Sequence, residues 1–126
     1  MLFRSIKVLV VDDQSLVRLG ICKLLKGRED ILIVGEATSG PEAILLAEQV
    51  NPDVILMDLT MPGLSGIDAA LELVARGHKA RILVVSSHTE ERWKRRALSA
   101  GAMGYVTKSE DADTLTEAIQ IGRAHV

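Results

Sequence analysis

Aromatic residues are scarce: one Phe, one Tyr and one Trp occur in 126 residues, so Val, Ile, Leu and Ala must fill the core. Cysteine occurs once, at Cys22. This excludes an internal disulfide and fits the cytoplasm, and its place on the apolar side of a predicted helix reads as core. No apolar stretch approaches the ~20 residues that span a bilayer. An excess of one charge is missing too: 15 Lys and Arg against 17 Asp and Glu leave a net charge of -2. That argues against nucleic-acid binding through phosphate attraction over the whole surface. The start, Met1 to Val11, has no small-residue cleavage site and leads directly into Asp12 and Asp13, so it does not read as a signal peptide. Linkers, repeats and low-complexity tracts are also lacking. At this length the chain reads as one domain over 1–126, large enough to bury a real core.

What is present is a strict alternation. Short apolar runs at Ile6 to Val11, Ile31 to Val34, Val54 to Met57, Ile82 to Val85 and Met103 to Val106 read as buried strands of a parallel sheet. Between them lie helically spaced stripes. Val17, Ile21, Leu24 and Leu25 form one that Gly27 ends, and Ala43, Ile44, Ala47 and Val50 form one that stops before Pro52. Ile67 to Ala75, ended by Gly77, gives a third; Glu90 to Ala100 and Asp113 to Ala124 give the fourth and fifth. Strand then helix, five times, predicts an α/β doubly wound sandwich. Parallel strands need crossovers, these are right-handed, and helices then cover both faces.

Three acids end these runs: Asp12 and Asp13 follow the first strand and Asp58 follows the third. The carboxyl ends of parallel strands share one edge, where open α/β sheets bind ligands, so the three are expected together. Two carboxylates ~4 Å apart at an effective dielectric of ~20 repel by about 4 kcal/mol, equivalent to roughly three pKa units, so a cluster must hold protons or bind a cation. Mg²⁺ suits it, because it takes oxygen ligands, uses one or two carboxylates and keeps waters and substrate phosphate in its remaining shell. Any one of these acids could instead begin a turn or cap a helix; all three after two strands point to a hard-cation or phosphate-transfer site.

Pro62 and Gly63 force a turn soon after Asp58, holding its carboxylate at a rigid, solvent-reachable edge where it can act as a nucleophile. Ser86 ends the fourth strand and Lys108 the fifth. A hydroxyl and an ammonium are the groups that bind phosphoryl oxygens on a modified Asp. Singly, each has a plain reading as a strand-end hydroxyl or a solvated loop charge; together, after separate strands, they fit the acids.

These positions, with Met61-Pro62-Gly63 after the acceptor candidate, resemble the phospho-receiver domain of bacterial two-component response regulators, over essentially the whole chain. Val10-Val11-Asp12-Asp13-Gln14, Leu16-Val17-Arg18, Gly101-Ala102-Met103-Gly104-Tyr105 and Lys108-Ser109 resemble its NarL/FixJ (LuxR-type) branch. The resemblance implies a flavodoxin-like fold of five parallel strands and five helices. It also implies that a partner histidine kinase supplies phosphohistidine and that Asp58 attacks the phosphorus in line. Mg²⁺ is then held by Asp13, Asp58, the carbonyl of Thr60 and, through water, Asp12. It further implies a regulator with self-catalysed phosphotransfer and autodephosphorylation, not a conventional enzyme. Hydrolysis is tuned two positions after the acceptor and two after the switch hydroxyl, at Thr60 and His88; His88 also has a plain reading as a loop histidine. Phosphorylation adds about -1.5 to -2 charge, and two or three charge-assisted bonds at about 1.5 to 3 kcal/mol each can supply the ~5.5 kcal/mol of a nearly complete population reversal. Ser86 and Tyr105 are the implied moving parts. The output is a homodimer or protein partner, or DNA through a C-terminal helix-turn-helix for which 126 residues leave no room. A stand-alone receiver working by protein contact or phosphorelay is the other reading.

Two departures stand out. Ser109 follows Lys108 where many receivers have a cis proline; cis before Ser would cost about 2.5 to 4 kcal/mol, so trans is expected and Lys108 is less firmly placed. Arg92, Lys94, Arg95 and Arg96 surround Trp93 in the fourth helix. This is either a solvated charged face or an aromatic anchor on a basic surface. A haloacid dehalogenase-type phosphatase would need an acid two residues after Asp58, where Thr60 stands, and a receiver-like module that never takes phosphate would be expected to lack an acceptor or metal acid.

Overall fold

A computed structural model describes residues 4–124. Met1 to Phe3, with which the sequence reading starts, and residues 125–126 lie outside the described residues. The elements run β1 (Ile6–Val11), α1 (Ser15–Lys26), β2 (Ile31–Ala37), α2 (Gly40–Val50), β3 (Val54–Met57), α3 (Gly66–Ala75), β4 (Arg81–Ser86), α4 (Glu91–Ser99), β5 (Gly104–Thr107) and α5 (Ala112–Ala124). The sheet order is β2-β1-β3-β4-β5 with every pairing parallel. This is the predicted α/β architecture.

Alternation along the strands sorts the core into two layers, because successive side chains leave opposite faces of a sheet. Leu9, Val11, Ile55, Met57, Ile82 and Val84 pack with Ala43, Ala47, Ala69, Leu73 and Ala97 of α2, α3 and α4. Val8, Val10, Val54, Leu56, Leu83 and Val85 pack with Ile21, Leu25, Leu115 and Ile119 of α1 and α5. Small residues on α2 and α3 let both helices lie close to the strands. Cys22 falls short of the expectation of a core residue: it is half-buried, at the margin of the second layer, since full burial on α1 goes to Ile21 and Leu25.

Local signals set the helix ends. Ser39 accepts from the Glu42 N–H at the start of α2, followed by Pro41 in the first turn, and Ser65 accepts from the Asp68 N–H at the start of α3; such caps satisfy backbone donors that a helix start leaves unpaired. Strand β2 runs three residues past the predicted Val34, to Ala37. The apolar run breaks at Gly35 and Glu36, but the β1–β2 register shifts between Val8 and Leu9 and pairing resumes. A Cβ on Gly35 would sit 3.2 Å from Leu9 Cδ1, so glycine there accommodates a core leucine.

Candidate functional site

Strands β1 and β3 are neighbours at the centre of the sheet, so their carboxyl ends bring the acids together. The Asp12 N–H donates to the Ala37 carbonyl at 3.0 Å and the Asp58 N–H to the Val11 carbonyl at 2.9 Å, which extends the ladder to the acids themselves. Ligand oxygens of Asp12, Asp13 and Asp58 all lie within 4.8 Å of one another. Asp12 and Asp58 are buried, at 1% and 5% exposure, while Asp13 is exposed. Hard oxygen donors at this spacing, open on the Asp13 side, could hold a metal ion, and the donor type is the one Mg²⁺ takes.

Lys108 enters from β5. Its Nζ lies 3.0 Å from Asp12 Oδ2 and 3.2 Å from Asp58 Oδ1, so one ammonium spans the two buried carboxylates. Its backbone N–H donates to the Ser86 carbonyl at 2.8 Å, and the following peptide is trans, as expected before Ser109. Without the cis proline of many receivers, the lysine still reaches both acids.

The charges answer the crowding in a specific way. Burial first, then repulsion from Asp12, pushes the Asp58 carboxyl up to about 6; the charge and hydrogen bond of Lys108 oppose this, and Asp13 adds to the rise. Burial disfavours the charged Lys108 ammonium, but the hydrogen bond to Asp12 and the charges of Asp58 and Asp12 outweigh it and raise its pKa. Asp58 is thus a carboxylate short of countercharge, a state that a cation relieves.

Both oxygens of Asp12 are engaged: Oδ1 accepts from the Gln14 N–H at 2.9 Å and Oδ2 meets Lys108. Arg18, in α1, donates from Nη1 to the Asp12 carbonyl at 2.9 Å and pairs with Glu36 at 3.3 Å, pinning the acid loop between α1 and β2. In the sequence the signal for Arg18 is a cation one turn into the helix that follows an acid pair.

The loop after β3 is fixed by backbone. Gly63 has φ +78, where glycine carries no steric penalty. Gly66 has a structural role: a Cβ there would overlap the Asp58 carbonyl oxygen and lie 3.0 Å from Leu59 Cα. Its N–H donates to the Leu59 carbonyl at 2.9 Å. Only glycine lets α3 start this close beneath Asp58.

Ser86 is fully buried and its Oγ accepts from the His88 N–H at 3.1 Å. Thr60 Oγ1 and His88 Nε2 are 3.0 Å apart, a direct bond between the two positions predicted to tune hydrolysis, which sequence spacing had not linked. Tyr105 is half-buried, and its hydroxyl donates to the His88 carbonyl at 2.7 Å. The predicted site residues therefore form two connected groups: Asp12, Asp13, Asp58 and Lys108 around the charge, and Thr60, Ser86, His88 and Tyr105 beside it.

Among the described residues no helix is long and apolar enough to cross a membrane. The family model for the response regulator receiver domain matches residues 8–120. The transcriptional regulatory protein DegU of Brevibacillus brevis is 37% identical over 93% of this chain and 50% of its own length. The response regulator GacA of Pseudomonas aeruginosa is 40% identical over 91% of this chain and 54% of its own. The chain thus spans about half the length of these curated relatives. In structure it is similar to the receiver domain of the response regulator NarL from Mycobacterium tuberculosis, with a TM-score of 0.91 and 30% identity over 95% of this chain and 98% of that one. A LuxR-family response regulator from Aurantimonas gives a TM-score of 0.89 and 38% identity over 93% of this chain and 84% of that one. The matched span takes in all three acids and the lysine, and the chain belongs to the response regulator receiver domain family, in its LuxR/NarL-type branch.

Proposed function

We propose that Asp58 accepts a phosphoryl group from the phosphohistidine of a sensor histidine kinase. The observation that carries this reading is the Lys108 ammonium spanning Asp12 and Asp58 inside a cluster of acids. An Asp58 oxygen attacks phosphorus, the P–O bond forms as the P–N bond to imidazole breaks, and the leaving imidazole takes up a proton. Water later breaks the P–O bond and releases inorganic phosphate. Catalysis here is placement and charge: Asp58 is held rigidly by its ladder bond and Gly66, and Lys108 is positioned to meet a phosphoryl oxygen in addition to its carboxylates. Asp13, Asp58 and the Thr60 carbonyl would hold Mg²⁺, with Asp12, whose oxygens already meet Gln14 and Lys108, in support. The ion, when bound, supplies positive charge to the transferring group.

Ser86 and Tyr105 form the switch. Ser86 bonds the phosphoryl group by moving toward Asp58, and Tyr105 follows into the space beside α4, which changes the face made by α4, β5 and α5. Charge-assisted bonds to the new dianion drive the shift. The 126 residues act as one receiver unit in the cytoplasm, and the output is transcription control through a DNA-binding domain, in line with the longer relatives, with self-association on phosphorylation.

Intact mass after incubation with acetyl phosphate and Mg²⁺ tests the assignment. The wild type is expected to gain one labile phosphate and Asp58→Asn none; undiminished labelling of that variant would sink it.

A further inference from the structure

The basic fourth helix carries one side chain that the phosphotransfer scheme does not use. Trp93 is half-buried, and its ring stacks on the His88 imidazole with centroids 4.8 Å apart and planes 29° apart. Its indole N–H donates to Glu90 Oε2 at 3.0 Å, and that carboxylate also lies 3.7 Å from Arg92. The guanidinium carbons of Arg96 and Arg92 lie 5.0 and 5.5 Å from the indole centroid, within cation–π range. The indole thus meets Glu90 and two arginines while its ring stacks on His88.

His88 in turn spans a gap. Thr60 stands three residues beyond the end of β3 and His88 two beyond the end of the neighbouring β4, and their 3.0 Å bond joins the two loops that flank Asp58. We propose that Trp93 is a positioning residue that holds the Thr60–His88 bridge closed across the mouth of the acceptor site, limiting how fast water and small phosphoryl donors reach Asp58. This rests on Asp58 being the acceptor. Water attacking the acyl phosphate and acetyl phosphate attacked by Asp58 both use the same mouth, so releasing the bridge speeds both reactions. It also joins the basic surface to the chemistry: whatever displaces Trp93 from His88 changes the lifetime of the phosphorylated state.

The bland alternative is that Trp93 only fills space against the core, since it packs on the layer that contains Ala97. Aromatic stacking and apolar filling separate on substitution. Trp93→Leu keeps apolar volume but removes the stack, and Trp93→Phe keeps a ring. With the full chain, acetyl phosphate and Mg²⁺, Trp93→Leu is expected to raise both labelling and phosphate release roughly threefold to tenfold, the scale of one aromatic pair. Trp93→Phe should restore most of the wild-type rate. In a His88→Ala background, Trp93→Leu should add nothing further, because the bridge is already gone. Equal rates for Trp93→Leu and Trp93→Phe, or an undiminished Trp93→Leu effect in the His88→Ala background, would overturn the proposal. Trp93 emission gives a readout that needs no phosphoryl donor: His88→Ala should shift it, and unchanged emission would also overturn the stack. If the wild type took no label at all, the acceptor assignment would fail instead, while the emission comparison would still judge the stack.

Discussion

The two loops that flank Asp58 are built by different means. After β3 the chain is held by main-chain contacts: the Asp58 N–H on the Val11 carbonyl, the Gly66 N–H on the Leu59 carbonyl, and a glycine beneath Asp58 where no Cβ fits. Helix α3 then buries Gly66, Ala69, Ala70 and Leu73. After β4 the chain is held mainly by side chains: Ser86 Oγ, the Tyr105 hydroxyl, Thr60 Oγ1 and the Trp93 ring all converge on His88. Helix α4 buries only Ala97 between Glu91 and Ser99. Backbone packing has few alternative arrangements, whereas side-chain bonds exchange partners at low cost. The first loop is suited to chemistry that tolerates little displacement and the second to reporting it.

The contrast can be broken at Gly66. Gly66→Ala drives a methyl group into the Asp58 carbonyl, and backbone must move to admit it. A loss of about 3 kcal/mol or more is expected by denaturant unfolding, at the upper end for overpacked sites. A loss under about 1 kcal/mol would show that the loop yields easily.

A second test concerns the charge stored at Asp58. Its carboxyl, raised to about 6, keeps a proton in the folded protein where the unfolded chain, at 3.8, has lost it. That contribution to stability is complete below pH 3.8 and is lost as pH rises through about 6. A rise of about two units corresponds to about 3 kcal/mol. Without Mg²⁺, Asp58→Asn should therefore stabilise the protein by about 2 to 3 kcal/mol at pH 7 and by little at pH 3.5. Equal effects at both pH values would remove the charge explanation.

A smaller effect sharpens the division of labour within the acid pair. Asp12 is engaged by Gln14 and Lys108 while Asp13 is exposed, so Asp13→Ala should weaken Mg²⁺ binding at least tenfold by calorimetry, about 1.4 kcal/mol. Equal affinity in the wild type and Asp13→Ala would count against the ligand set.

The sequence shows the skeleton of this site because buried parallel strands are continuous apolar runs. Their ends can be read directly, and β1 and β3 match their predicted bounds. Asp12, Asp13, Asp58, Ser86 and Lys108 were found because each marks such an end. Strand β2 was read short because Gly35 and Glu36 interrupt the apolar run, and only pairing to β1 carries it on. The role of Gly66 was hidden because a glycine's lack of a side chain has meaning only beside what it approaches. The His88 hub was hidden for the opposite reason: Thr60, two after Asp58, and His88, two after Ser86, are visible in sequence, but the bond between them and the Tyr105 contact exist only once β3, β4 and β5 lie side by side.

The most direct test of the division between a fixed loop after β3 and a movable one after β4 is hydrogen exchange on the whole chain, with and without beryllofluoride and Mg²⁺. Exchange is predicted to change across Glu90 to Tyr105, where the side-chain contacts rearrange. No change there while the loop from Asp58 to Gly66 became protected would contradict it.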